Sequence, residues 1–153
     1  MSSTSPVARF GMVSEPGDLP RMRDWLRERL RPSGLTASAS AAVVIAVGEL
    51  CTNAILHAYA GQKGQPIELS VGIGEDHVEV TVEDFGRPFD RSEYRRPDST
   101  ELPDHGWGLF LVHRLVDSCR VDTDRPRGTR WTVVKYCPRA TARPRDASVR
   151  PCG

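Results

Sequence analysis

The chain has 153 residues, 27% charged and 39% hydrophobic, a balance typical of one soluble globular domain with its own core. Its 21 basic residues nearly cancel its 20 acidic ones, and the net charge of +1 argues against a dedicated nucleic-acid or membrane-surface binder. No C-x-x-C pair, no signal-peptide pattern at the N-terminus and no run of apolar residues long enough to span a membrane are evident, which predicts a cytoplasmic protein with free thiols.

The first part of the chain is predicted to contain a short strand and two helices. Residues 7–13 suit the strand, and apolar side chains at helical spacing follow Asp18, the expected N-cap of the first helix. A proline and Gly34 are expected to end that helix, and Thr36 or a following serine to begin the next. The second helix is predicted to run to about Tyr59.

The second helix carries three polar side chains, Glu49, Asn53 and His57, at a spacing of four residues. A regular helix presents such residues from one face. Their neighbours are apolar enough to bury much of the helix, and an unpaired buried polar group costs on the order of a few kcal/mol. A ligand with a metal ion would satisfy them, and a polar ladder within the protein is the alternative. For His57, packing beside Tyr59 is an equally open interpretation.

The sheet is predicted to begin with a hairpin after the second helix. Alternating apolar residues over 67–82 indicate two half-buried strands, and the same alternation turns Asp84 toward the core. Residues 87–105 are polar and aperiodic, as in a functional loop. A third helix is expected to open at Gly106.

Two strands are predicted to close the domain. Val121 and Thr123 suggest one, and residues 129–136 the other. We expect one folded domain over residues 7–137, with disordered tails at 1–6 and 138–153.

Two of these features suit a nucleotide. A glycine-flanked helix start such as Gly106-Trp107-Gly108 offers free N–H groups to a phosphate, although many such pairs only close a tight turn. An inward carboxylate at position 84 can accept a hydrogen bond from the exocyclic amine of a base, although an Asp at a strand end is more often a turn former. Gly86 would let a flat ring approach the backbone.

The order and spacing of these pieces resemble the ATP-binding superfamily that includes histidine kinases, gyrase, heat-shock chaperones and mismatch-repair ATPases. Within it, the chain is most similar to the small anti-sigma factor serine/threonine kinases of bacterial partner-switching systems. The similarity rests on residues 49–59, 84–90, 106–112 and 128–129, and it covers most of residues 7–137. It departs from the family at His105, where members often have a further glycine.

The resemblance implies an α/β (α+β) fold, a two-layer sandwich whose mixed, mostly antiparallel sheet is covered on one face by helices. An ATP lid, residues 87–105, would lie between the third strand and the last helix. By the same resemblance, Asn53 would coordinate Mg²⁺ that bridges the ATP phosphates. Glu49 would be the catalytic residue that polarises the attacking hydroxyl.

The resemblance also assigns the nucleotide contacts. Asp84 would accept from the adenine amino group, Gly86 would line the base, and Thr129 would help through its hydroxyl. Gly106 and Gly108, which flank the start of the third helix, would hold the lid in its closed form. The remaining cofactor-binding residues implied are His57, Gly106, Trp107, Gly108 and Leu109.

The function implied is an ATP-dependent anti-sigma kinase. It would sequester a sigma factor and phosphorylate an anti-anti-sigma antagonist, with no direct role for nucleic acid or membrane, and a homodimer is plausible. The alternative is a non-enzymatic switch that binds ATP and a partner without phosphate transfer. A detached histidine kinase domain is disfavoured because no phosphoacceptor helix fits before Val7, and a gyrase-type hydrolase because it needs a second domain.

Overall fold

The computed structural model describes residues 7–93 and 107–138. Several predictions fall outside these described residues: the two tails, most of the lid, His105 and Gly106.

The described chain forms five strands and three helices in the order predicted. The strands are β1 (Ala8–Val13), β2 (Pro66–Ile73), β3 (His77–Asp84), β4 (Ser118–Asp122) and β5 (Thr129–Tyr136), and the helices are α1 (Leu19–Leu30), α2 (Ala37–Asn53) and α3 (Trp107–Leu115). Short 3-10 turns precede α1, follow α1 and lie at Arg91–Glu93.

The strands form one sheet in the order β1-β2-β3-β5-β4, and every pair is antiparallel. The predicted two-layer fold is confirmed, but the described sheet is antiparallel throughout. Strands β3 and β4 run in the same direction, and no parallel pair forms because β5 lies between them. This insertion pairs Asp84, at the end of β3, with Thr129, at the start of β5.

Period-2 alternation places the core on one face of the sheet. In β3, the side chains of Val78, Val80 and Val82 are each 1% exposed, and Asp84 continues the same inward phase. Helices α1 and α2 cover this face, and Met22 of α1 is one of the apolar residues that are fully buried between the helices and the sheet. The helices are therefore held by burial of one apolar side.

The ends of the helices depend on local hydrogen bonds. Thr36 caps α2 as predicted, because its Oγ1 accepts from the N–H of Ala39 at 3.1 Å. Asp18 stands at the N-cap position of α1, but its carboxylate makes no capping bond. It accepts instead from the N–H of Val13 and from Arg21, and so ties β1 to the helix.

A π-helical turn, Ala54–Ala58, follows α2 without a break. Its wider hydrogen bond runs from the N–H of Tyr59 to the carbonyl of Ala54, at 3.0 Å. The turn interrupts the regular spacing that was predicted to align His57 with the preceding polar residues. His57 is exposed, whereas Glu49 and Asn53 are half-buried.

The stretch Ala37–Ala58 is long and apolar enough to cross a membrane by length and composition, contrary to the expectation from the sequence. Half of its most apolar 18-residue window is buried inside the domain, in contact with the sheet and the neighbouring helices. This packing is that of a core helix.

Candidate functional site

The start of α3 meets the polar face of α2. A β-carbon added at Gly108 would lie 2.8 Å from Oε2 of Glu49 and 3.7 Å from Oδ1 of Asn53. The structure thus brings together the catalytic residue and the metal ligand that the resemblance implied, at the N-terminal end of a helix. Free N–H groups and the positive end of the helix dipole suit such a place to an anion.

Asp84 is the buried acid of the site, with 3% of its surface exposed. Burial raises the pKa of its carboxyl group, and the N–H groups of Gly86 and Thr129 act in the opposite direction by hydrogen-bonding to the carboxylate. The Gly86 bond to Oδ1 is 3.1 Å long. An inward carboxylate fixed by two backbone groups presents an acceptor of defined direction to a ligand.

Gly86 fastens the loop after β3 to the end of the π-helical turn. A β-carbon at this position would lie 2.4 Å from the carbonyl oxygen of Ala58 and 2.9 Å from Cδ1 of Tyr59. The N–H of Arg87 also donates to the Ala58 carbonyl, at 2.9 Å. No side chain fits at position 86 without displacing backbone, so this glycine is required by close approach of two chain segments.

Tyr59 is a strut that the sequence did not reveal as part of the site. Its hydroxyl donates to the carbonyl of Pro66 at 2.6 Å and accepts from the N–H of Phe85 at 2.8 Å. Its ring is nearly buried. One phenol therefore holds together the end of the helical segment, the start of β2 and the loop after Asp84. The sequence marks position 59 only as the end of the predicted helix.

The start of β5 closes the other side of Asp84. Gly128 has a φ of +77°, and a β-carbon there would lie 1.8 Å from the backbone oxygen of Asp84. The hydroxyl of the buried Thr129 accepts from the N–H of Phe89 at 2.8 Å. Thr129 therefore holds the first residues of the lid as well as facing the acid.

The residues around Glu49 and the residues around Asp84 contact one helical segment, α2 with its π-helical turn. Gly108 contacts α2 at Glu49, and Gly86 contacts the continuation of α2 at Ala58. At about 1.5 Å per residue, the two contacts are on the order of 10 Å apart along the axis. Among the other predicted contacts, Leu109 is buried and Trp107 begins α3.

A second feature that sequence reasoning missed is an ion-pair cluster behind Asp84. Glu83 accepts from Arg125 and from Arg130, and these guanidinium groups hold the pKa of its carboxyl group below the ordinary value. Arg125 also acts electrostatically on Asp84 and opposes the rise in its pKa that burial causes. No motif marks Arg125, because only the pairing of β3, β4 and β5 brings its loop to this corner.

A family model described as a histidine kinase-like ATPase domain matches residues 12–135 of this chain. The chain belongs to that family. The match spans all the described site residues, from the α2 motif to the start of β5, and so agrees with the resemblance seen in the sequence.

Curated relatives of this ATPase-family chain include proteins named Serine-protein kinase RsbW. The one from Bacillus licheniformis is 38% identical over 88 residues, which cover 52% of this chain and 55% of the relative. The one from Bacillus subtilis is 35% identical over 100 residues, covering 60% of this chain and 61% of the relative. The chain thus spans little more than half the length of these relatives.

A solved structure, the RsbU and RsbW domains of Rv1364c from Mycobacterium tuberculosis, resembles the fold with a TM-score of 0.64. It is 23% identical and covers 88% of this chain and 34% of the other. This likeness supports the architecture of the ATPase-family domain.

Proposed function

We propose that this protein is an ATP-dependent serine/threonine kinase of a partner-switching system. It would sequester a sigma factor and phosphorylate an anti-anti-sigma antagonist. The observation that carries the proposal is the meeting of Glu49 and Asn53 with the start of α3 at Gly108, on the same helical segment whose far end contacts Gly86, two residues after the buried Asp84. The curated relatives named Serine-protein kinase RsbW support the same class of activity.

At the adenine end, the inward carboxylate of Asp84 would accept a hydrogen bond from the exocyclic amine. Gly86 would line the base with its backbone, since the carbonyl of Ala58 occupies the place that a side chain at position 86 would need. The buried Thr129 would complete the contact through its hydroxyl, which now holds the N–H of Phe89. A base with a carbonyl in place of the amine would set two acceptors against each other, so adenine should be preferred over guanine.

At the phosphate end, the amide oxygen of Asn53 offers the kind of hard oxygen donor that Mg²⁺ takes. Among the described residues, no group of three or more His, Cys, Asp or Glu side chains could form a cage for a metal. That donor set fits Mg²⁺, which commonly binds through one or two protein oxygens together with substrate phosphates. When bound, the ion would neutralise charge on the phosphates.

The catalytic step would then need positioning and one proton acceptor. Glu49 would take the proton of the serine hydroxyl while the serine oxygen attacks the γ-phosphorus of ATP. The bond between the γ-phosphorus and the oxygen that bridges it to the β-phosphate would break, and ADP would leave with that oxygen. The N–H groups at the start of α3, beside Gly108, would stabilise the negative charge on the phosphates. His57 would lie at the edge of this site, and Trp107 and Leu109 would support the helix start.

Phosphate transfer to the antagonist tests the function. The native protein, ATP, Mg²⁺ and a purified anti-anti-sigma protein with a target serine are incubated, and phosphoserine is measured by mass spectrometry. We expect transfer by the native protein and by the control Glu28→Gln, an exposed carboxylate on α1. Glu49→Gln should bind ATP and transfer no phosphate. Tight ATP binding without transfer by the native protein would favour the non-enzymatic switch.

Nucleotide binding tests the site separately from the transfer. By calorimetry, the native protein should bind ATP and discriminate against GTP, and Asp84→Asn should lose much of that preference. Asn53→Ala should abolish the dependence of binding on Mg²⁺. Equal binding of ATP and GTP by the native protein would contradict the role of Asp84. A cytoplasmic location and a homodimer belong to the same proposal.

A further inference from the structure

A cavity lies between α3, the start of the lid and strands β4 and β5. Its volume is about 440 Å³, within the range of small-molecule sites, and its lining residues come from the lid start, α3, β4 and β5. Asp84, Asn53 and Thr129 are not among them. We propose that this cavity is a binding site for a small amphipathic anion, an aromatic or aliphatic body that carries one carboxylate, sulfonate or phosphate.

The floor of the cavity is apolar. Leu109 and Trp131 are buried there, and Val121 is half-buried. The ring of Phe89 packs edge-on against Trp131 with ring centroids 5.0 Å apart. A flat or aliphatic body would bury its surface against these side chains, and burial of apolar area is the main favourable contribution to binding in such a site.

The rim of the cavity is cationic. Among the described residues that line it, Arg91, Arg120 and His113 are basic and none is acidic. Arg120 pairs with Glu79 on the outer face of the sheet, opposite to Val121, whereas Arg91 is exposed and has no ion pair with a described residue. The Arg91 guanidinium can therefore turn to a ligand anion, and it would recognise carboxylates and phosphates through paired N–H groups.

The cavity shares two elements with the ATP site, and these would let an occupant affect it. Leu109 lines the cavity, while its neighbour Gly108 lies on Glu49. Phe89 packs on the cavity floor, while its N–H donates to Thr129. An anion bound here would therefore press on the start of α3 and on the lid base.

The fluorescent anion 8-anilinonaphthalene-1-sulfonate is a suitable probe, because it combines two aromatic groups with one sulfonate. Titrated into the full chain, it should bind with one-to-one stoichiometry. Arg91→Gln should weaken its affinity by roughly three- to tenfold, the range for one exposed charge. Val121→Trp should fill the cavity and abolish binding, whereas Arg27→Gln on α1 should bind the probe as the native protein does.

Two further measurements separate this cavity from other sites. Asp84→Asn should leave the affinity for the probe unchanged, and loss of binding in that variant would mean that the probe occupies the nucleotide site. In methyl NMR spectra of the native protein, the probe should shift the signals of Leu109 and Val121 and leave that of Val43, a buried residue of α2, in place. Shifts confined to other methyl groups, or binding that Val121→Trp retains, would overturn the proposal.

Discussion

Gly108 of α3 lies directly against Glu49 of α2, with room for a hydrogen atom but not for a methyl group. A β-carbon there would come within 2.8 Å of Oε2, which is the free end of a flexible side chain. A side chain at position 108 would therefore displace the carboxylate of Glu49, and it would do so before it disturbed the packing of α3 on α2.

Gly108→Ala should reduce phosphate transfer by more than about tenfold, because a catalytic group moved by a fraction of an ångström loses its geometry. Stability should change little, since alanine favours the helical conformation more than glycine does. The measurement is transfer to the antagonist beside urea unfolding. Gly17→Ala is the matched control, because a β-carbon at that position meets nothing within 4 Å. Full activity in Gly108→Ala would contradict the contact.

The burial of Asp84 should give the protein a recognisable pH dependence. Its pKa is raised above the ordinary value of 3.8, so the folded protein holds the proton more tightly than the unfolded chain does. Its contribution to stability is full below the ordinary pKa and is lost as the pH rises through the raised one. The free energy of unfolding of the native protein, minus that of Asp84→Asn, should therefore fall over that window.

Urea unfolding at a series of pH values measures this difference, and the other carboxyl groups cancel because both proteins contain them. A difference that rises with pH would mean that the hydrogen bonds from Gly86 and Thr129 outweigh burial. Glu83 supplies the opposite control. Its pKa is lowered by Arg125, so the native protein should gain stability over Glu83→Gln as the pH rises through the lowered pKa toward the ordinary one.

Tyr59→Phe should lower the free energy of unfolding by about 1–2 kcal/mol, because the N–H of the half-buried Phe85 and the carbonyl of Pro66 lose their shared partner. The loop that carries Gly86 should loosen at the same time, which amide hydrogen exchange at Phe85 would detect. Tyr136→Phe is the control, since Tyr136 is 59% exposed. Equal losses in both variants would exclude the role of Tyr59 as a strut.

Gly128 and Gly34 form a matched pair of positions with positive φ, +77° and +81°. A β-carbon at Gly34 meets nothing, whereas one at Gly128 would lie 1.8 Å from the backbone oxygen of Asp84. Gly34→Ala should therefore lower stability by roughly 1–2 kcal/mol from backbone strain alone. Gly128→Ala should lower it by at least about 2 kcal/mol more. The losses are measured by thermal or urea unfolding. Similar losses in the two variants would contradict the prediction, because the backbone of Asp84 would then make room for the new side chain at no cost in stability.

Much of the fold could be predicted because it depends on local periodicity. The alternation of Val78, Val80 and Val82 defined the inner face of β3 and carried Asp84 with it, as the structure confirms. The polar spacing in α2 predicted Glu49 and Asn53 on one side. The π-helical turn that carries His57 was not predicted, because no local pattern announces a change from the regular helical spacing.

The order of the residues specified the chemical groups, the elements that carry them and the face that each group takes, because helix and strand periods are properties of neighbouring residues. Contacts between those elements were settled by packing: β5 lies between β3 and β4, so Gly128 and Thr129 meet Asp84, and α3 packs on α2, so Gly108 meets Glu49. The apolar cavity and the Tyr59 strut belong to the same class. They depend on contacts between residues far apart in the chain, which packing of the core fixes and no single segment contains.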